Sequence, residues 1–334
     1  MGKKSRQSNI ELCRITSIVL VLLVHTTYQT FGGNMSFGLH LLNGFSVIGV
    51  NVFVLITGYF SVLPKKSSLV NLAFICFFWM IVKLVSCQTF NLGISIKDLF
   101  FITSSNWFIP SYIVLLFIAP ILNVFSKQVC RNALWGGVIC LILVEVYFDW
   151  IPPRPTANIG AQNGYSAFSF AILYLLARCI RLHGLPKWFK KSSLFIYVGC
   201  SLVVGLMEHV FCISGHVDME AMPMYYDNPL VIISSVAFLS MFECINLDSK
   251  VVNHLAKSTL GVLLGHTAIF SLYQSNFKYI YTNFDGFKVI FLWSLSIIAV
   301  YAVCVFIDQI RLLLWTPLKR IVQERIKDDY FYTV

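Results

Sequence analysis

The sequence predicts an all-α, polytopic membrane protein of about ten transmembrane helices with both termini in the cytosol, and three observations carry that prediction. Of 334 residues, 57% are hydrophobic and only 12% are charged, about half the charge of a soluble globular domain. Runs of about 17 or more apolar residues recur along the whole chain, and such runs read as membrane-spanning helices. The cations fall on alternate sides of these runs, as the positive-inside rule requires.

The runs lie at roughly 11–31, 43–63, 69–87, 106–125, 132–149, 166–182, 194–213, 229–246, 258–275 and 288–314. With the N-terminus in the cytosol, the inside segments hold twenty Lys and Arg, among them Arg14, Lys65, Lys66, Arg131, Arg178 and Arg181. The outside segments hold four, Lys97, Arg154, Lys278 and Lys288. A missed span would scramble this partition, so it also checks the count. The net charge of +10 is therefore mostly topology. Nucleic acid is not an expected partner, since no basic face is interleaved with stacking aromatics.

The first run is full length and leads straight into the second, so no cleavable signal peptide is expected. The ten cysteines include no CxxC pair and no metal-like spacing with histidine. Most sit inside runs, where Cys behaves as a small apolar residue; Cys87 and Cys212 fall on the outer side, where a disulfide is open to them. One membrane domain, 1–314, is followed by a short basic cytosolic tail, 315–334, that includes "TPLKRIVQERIKDDYFYTV". No soluble catalytic domain is appended, so any chemistry resides among the helices or in short loops. No internal repeat marks two related transporter halves.

The outer loops are unequal. The loop near 88–105 contains "ISIKDLFFI", which suits a short interfacial helix. The loop 149–164 is rich in Pro, Gly and polar residues and reads as irregular. The loop 208–228 gathers Glu208, His209, His216, Asp218, Glu220 and Asp227. Its plain reading is a solvated loop that obeys the charge asymmetry; contact with a polar ligand is the other.

Ionisable groups inside spans are costly and usually face a bundle interior, so each is a candidate site residue. They are Arg14, His25, Lys83, Glu145, Glu243 and His266, with Glu11, Glu208 and His209 near span ends. Arg14 and His25 open and close "RITSIVLVLLVH". Eleven residues at 100° each turn about 1,100°, about 20° past three full turns, so both side chains lie on one face about 16 Å apart along the axis. Arg14, near the cytosolic interface, reads either as a positive-inside anchor or as an anion ligand. His25, past the middle of the span, reads either as a helix–helix hydrogen bond or as a group that accepts and returns a proton.

The second span, "NGFSVIGVNVFVLITGYF", is interrupted by Gly49, Asn51, Thr57 and Gly58. The glycines permit close helix approach, while Asn51 and Thr57 are candidates to line a cavity. In the fourth span, "NWFIPSYIVLLFIAPILN", Trp107 and Tyr112 suit an interfacial aromatic belt. Pro110 and Pro120 there bend or loosen the helix, which suggests a cavity nearby. In the ninth, "KSTLGVLLGHTAIF", His266 lies about two turns from the cytosolic end, with core hydrogen bonding and function equally open. Lys83 can reach the outer interface, and Glu145 and Glu243, near span ends, read as structural.

Arginine, ten residues, then histidine in the first span resembles the signature of the membrane acyltransferase-3 family, polytopic enzymes that acylate sugars and other acceptors at the cell envelope. "GVNVFVLITGYF" (49–60), "NWFIPSYIVLLFIAPILN" (106–123), "YYDNPLVIISSVAFLSMF" (225–242) and "STLGVLLGHTAIF" (258–270) are similar to further segments of that family, in the same order. Many sugar-acylating members carry a Glu a few positions after the fourth-helix Trp; here "WFIPSY" has no acid, so no catalytic acid is carried to that helix.

The resemblance implies an acyl-CoA co-substrate, most often acetyl-CoA, and no metal. Arg14 would pair with a CoA phosphate. His25 would act as general base toward a sugar hydroxyl, or carry the acyl group itself. Asn51, Trp107, Tyr112 and His266 are the candidate substrate-binding groups. The acceptor would be an envelope glycan or lipid-linked saccharide entering from the outer side of the cell inner (plasma) membrane, making the chain a polysaccharide O-acetylation enzyme. Two other classes stay open: a polysaccharide exporter or flippase with the same polar residues along a transport path, and a structural membrane partner in an envelope assembly.

Overall fold

Lipid offers no partner to a backbone N–H or C=O, so a chain this apolar must satisfy its backbone internally, and helices are the local solution. The computed structural model describes residues 6–32, 35–100, 102, 106–150, 159–215, 219 and 221–325, and no strand occurs among them. The chain divides into two compact units, residues 1–62 with 118–256 and residues 63–117 with 257–334. The first begins with α1 (Ser8–Thr26), α2 (Tyr28–Phe31), α3 (Phe37–Ser46) and α4 (Gly49–Tyr59). The second takes α5 (Lys66–Thr89) and α6 (Ile96–Leu99), and the division falls inside α7 (Phe108–Gln128). The first unit continues with α8 (Arg131–Trp150), α9 (Ala167–His183), α10 (Lys187–Lys191), α11 (Ser193–Ile213), α12 (Pro229–Glu243) and α13 (Lys250–Leu255). The second is completed by α14 (Thr259–Ala268), α15 (Phe270–Asn283) and α16 (Phe287–Arg325).

Backbone-to-backbone packing holds the first unit. α3 and α11 cross at Gly44 and Gly205, where a Cβ on Gly44 would stand 2.3 Å from Ser201 O and 2.6 Å from Gly205 N. Gly49 lies on α1, its Cβ position 2.7 Å from Ser17 O, and Gly58 lies on α9, its Cβ position 2.5 Å from Tyr174 O. Helices in lipid associate through packing rather than through the hydrophobic effect, so small residues at crossings are what let them approach. α1 stops at Thr27, whose φ of −99° and ψ of −84° leave the helix while its N–H returns to Leu23 O at 3.0 Å.

In the second unit α5, α14 and α16 pack on one another. The fully buried Trp79 lies against Gly265, where a Cβ would meet the indole at 2.5 Å. Gly261 makes room for the Asp308 carboxylate, which would stand 2.0 Å from a Cβ. Asp308 accepts from Arg311 Nε at 2.6 Å and Nη2 at 2.9 Å. This two-point geometry satisfies both carboxylate oxygens, which makes a buried ion pair tolerable. α6 is the short helix expected in "ISIKDLFFI": Asp98 accepts from the Ser95 N–H at 2.8 Å and pairs with Lys83 at 2.9 Å.

Each of the ten expected segments is helical. Seven described helices are long and apolar enough to cross a membrane, or eight if Lys250–Ala268 and Phe270–Asn283, bent by 74°, count as one span. The other two expected spans, α9 and α12, are helices of 17 and 15 residues. The second span starts at Phe37 rather than 43, because α3 extends it upstream. α16 runs through Pro317 to Arg325, into the segment expected as a tail; residues 326–334 lie outside the described residues. Cys87 and Cys212 are free thiols.

Candidate functional site

Arg14 and His25 belong to one unbroken helix, so their placement on one face follows from helical geometry. Ile18 and Val21 lie between them on that face, 0% and 5% exposed, so the stripe is turned toward the interior of the first unit. Arg14 Nη1 donates to Glu11 Oε2 at 3.0 Å, and Glu11 Oε1 is 3.7 Å from Arg6 Nη1. Arg6 in turn lines a polar pocket of about 440 Å³ with Asn9, Tyr59, Glu243, Asn246 and Asp248. Two more cations bond to residues of its lining. Arg181 donates to Tyr59 Oη at 2.7 Å, and Lys190 donates to Glu243 Oε2 at 3.1 Å. The Arg14 end of α1 is thus a polar, cation-rich end with room for a ligand.

His25 sits half-buried in the last turn of α1, its carbonyl accepting from Thr30 Oγ1 at 3.1 Å. Asn51, fully buried, donates Nδ2 to Tyr226 O at 2.8 Å, and its Oδ1 has no hydrogen-bond partner. Tyr226 N–H reaches Asn163 O at 3.1 Å, and Asn163 N–H reaches Asp149 Oδ2 at 2.6 Å. The turn 161–165 is thereby clasped to the turn 225–228, with the Tyr165 and Tyr226 rings 4.7 Å apart. Asp227, 1% exposed, is reached by no donor at its carboxylate. Burial, and then the neighbouring Asp149 carboxyl, push it up to about 9, so it carries its proton at neutral pH.

One end of α1 thus adjoins a polar pocket, and the other carries a half-buried histidine. A family model described as an acyltransferase domain matches residues 7–309. The chain belongs to the membrane acyltransferase-3 family. Among curated proteins and among solved structures nothing matches it. As an acyltransferase-3 protein it is an acyltransferase, and its apolar helices make it a multi-pass membrane protein.

Trp107, Tyr112 and His266 of this acyltransferase lie in its second unit, and Thr57, Asn123 and Glu145 in its first. Trp107 is half-buried and edge-on to Phe108 at 6.1 Å, and Phe108 stacks on Tyr112 at 5.3 Å. His266 is fully buried, its Nδ1 2.8 Å from Val262 O on the same helix. Thr57 bonds back to Phe53 O at 2.9 Å, which spends its hydroxyl on its own helix. Asn123, the last residue of "NWFIPSYIVLLFIAPILN", accepts from Tyr174 Oη at 2.8 Å and donates to Val62 O at 3.3 Å. Glu145 accepts from Ser169 Oγ, a closed structural contact.

Two acids differ from the solvated-loop reading. Glu208 is fully buried within α11, and Asp227 is buried beside α12; His216, Asp218 and Glu220 lie outside the described residues. The sequence reading missed His40, fully buried and 3.4 Å from Glu208 Oε2 through its Nδ1. It also took Arg178 as a topology charge only; its side chain is 2% exposed and donates to Ser126 Oγ at 3.3 Å and to Ser61 Oγ.

Proposed function

We propose that this acyltransferase moves an acyl group, most simply acetyl, from cytosolic acyl-CoA to a hydroxyl of an envelope glycan or lipid-linked saccharide, with His25 as general base. The observation that carries the reading is α1 itself: one helix bears Arg14 and His25 on one inward face, and Arg14 is joined through Glu11 and Arg6 to the polar pocket. The N-terminus is taken as cytosolic, which puts that pocket on the donor side. A CoA phosphate exchanges for Glu11 on the Arg14 fork, where planar two-point binding favours arginine. The pantetheine arm then runs along the stripe toward His25.

His25 takes the proton of the acceptor hydroxyl as its oxygen attacks the thioester carbonyl. The carbon–sulfur bond breaks, and the imidazolium returns its proton to the departing CoA sulfur. An ester and free CoA result, so atoms and charge balance without a metal. Asn51, with an unspent Oδ1, is the acceptor contact of the first unit. The hydrogen bond from His266 to Val262 O supports a packing role for that side chain. The family match speaks against an exporter.

Purified protein in detergent, given acetyl-CoA and a saccharide acceptor, should release CoA only when acceptor is present. At equal abundance His25→Ala should lower transfer by about 10²-fold or more. Arg14→Ala should raise the KM for acetyl-CoA by about tenfold with a smaller change in the saturating rate. Wild-type transfer by His25→Ala would overturn the assignment.

A further inference from the structure

Thr27, His40, Asn43 and Glu208 are each 0% exposed, and they join into one polar chain where α1, α3 and α11 meet. Glu208 Oε1 accepts from Asn43 Nδ2 at 3.0 Å, and Glu208 Oε2 is 3.4 Å from His40 Nδ1. Asn43 Oδ1 accepts the Thr27 hydroxyl. The His209 ring closes the far side, 5.2 Å from that of His40.

The chain has a direction. Asn43 turns its Nδ2 toward Glu208 on α11 and its Oδ1 toward Thr27 on α1. That carbonyl oxygen in turn meets the Thr27 hydroxyl, which ties the end of α1 to α3. Thr27 is where α1 ends, two positions after His25. Its N–H serves Leu23 O at 3.0 Å, and its hydroxyl has Leu23 O at 2.8 Å and Val24 O at 3.3 Å in reach as well as Asn43 Oδ1. The residue that terminates the His25-bearing turn is therefore anchored sideways to α3 and, through Asn43, to α11. Nothing in the proton transfer described above uses these four side chains.

We infer that Thr27, Asn43 and Glu208 are positioning residues for acyl transfer: their directed chain sets where the last turn of α1 stands and so where the His25 imidazole meets the acceptor hydroxyl. The inference rests on His25 being the base. A displacement of about 1 Å at a reacting group costs on the order of 10²-fold in rate, so a brace of this kind is read out in the saturating rate rather than in donor affinity.

The test uses the full chain in inside-out membrane vesicles, with radiolabelled acetyl-CoA as the donor and the endogenous membrane saccharides as acceptor. Rates are normalised to the abundance of folded chain. Thr27→Val keeps the shape and removes the hydroxyl. It should lower the saturating rate about tenfold or more and leave the KM for acetyl-CoA within about twofold. Thr27→Ser, which restores the hydroxyl, should return the rate to within about threefold of wild type. Glu208→Gln keeps the volume but lets Asn43 turn either way, and should lower the rate with the same unchanged KM. The inference is overturned if Thr27→Val works at the wild-type rate, if its loss appears only in KM, or if Thr27→Ser fails to rescue it. His25→Ala separates the two assignments. Silence of His25→Ala beside a fully active Thr27→Val sinks the positioning role alone, whereas an active His25→Ala sinks the base and this inference with it.

Discussion

In the second unit Asp308 finds its partner three residues along the same helix, and His266 finds a carbonyl four residues back. In the first unit Asn43 reaches Glu208 across 165 positions, and Asn51 reaches the Tyr226 carbonyl across 175. A local closure asks nothing of the tertiary fold, because the helix alone brings the partners together. A long-range closure fixes one helix against another, and a reacting group needs that kind of constraint. The difference teaches where to look for function in a protein that buries polar side chains throughout: beside buried polar groups such as Asn43 and Asn51, whose partners lie far along the chain.

The comparison breaks most sharply at Gly261. Gly261→Ala pushes a methyl into the Asp308 carboxylate, whose place is fixed by Arg311. Overpacking of this kind costs about 1–3 kcal/mol, expected as a lower melting temperature in detergent with the KM for acetyl-CoA unchanged. A selective loss of donor affinity at full stability would put function at the Asp308–Arg311 pair.

A smaller effect is expected at His266. His266→Gln should cost about 1 kcal/mol of stability and leave transfer within about threefold at saturating donor. Lost transfer at unchanged melting temperature would return His266 to the acceptor site and erase the contrast between the units.

The gentlest probe is pH. Asp227 is raised from 3.8 to about 9 by burial and by Asp149, with Glu145 adding to it. Below 3.8 the folded and unfolded chains both hold this proton. Between 3.8 and about 9 only the folded chain does, so the contribution to stability is lost progressively as pH rises through that window. Melting temperature measured across it should therefore decline, and Asp227→Asn should flatten the decline. An unchanged slope in that variant would remove Asp227 from the buried set of the first unit.

The helical stripe from Arg14 to His25 was legible because an unbroken helix turns sequence spacing directly into geometry. Gly49 and Gly58 were legible as packing positions for the same reason, since a small residue in a span announces a close neighbour. His40 was not, because the expected span began at 43 and left it outside the membrane segment. Glu208 and Asp227 read as loop acids because nothing near them in sequence tells of Asn43 or Asp149. Their burial is decided by helices far away along the chain, and hydrophobic periodicity carries no record of that. The two units were not legible either, since each is assembled from two separate stretches of a chain whose apolar character is uniform.

The shortness of α9 and α12 has a consequence for the bilayer. At 1.5 Å per residue, helices of 17 and 15 residues reach about 25 and 22 Å, against about 30 Å of hydrocarbon. A mismatch of that size is met by thinning of the lipid or by water drawn down to the helix end. The turns that begin these two helices hold Tyr165, Tyr226 and Asp227, so polar side chains close the short ends of both.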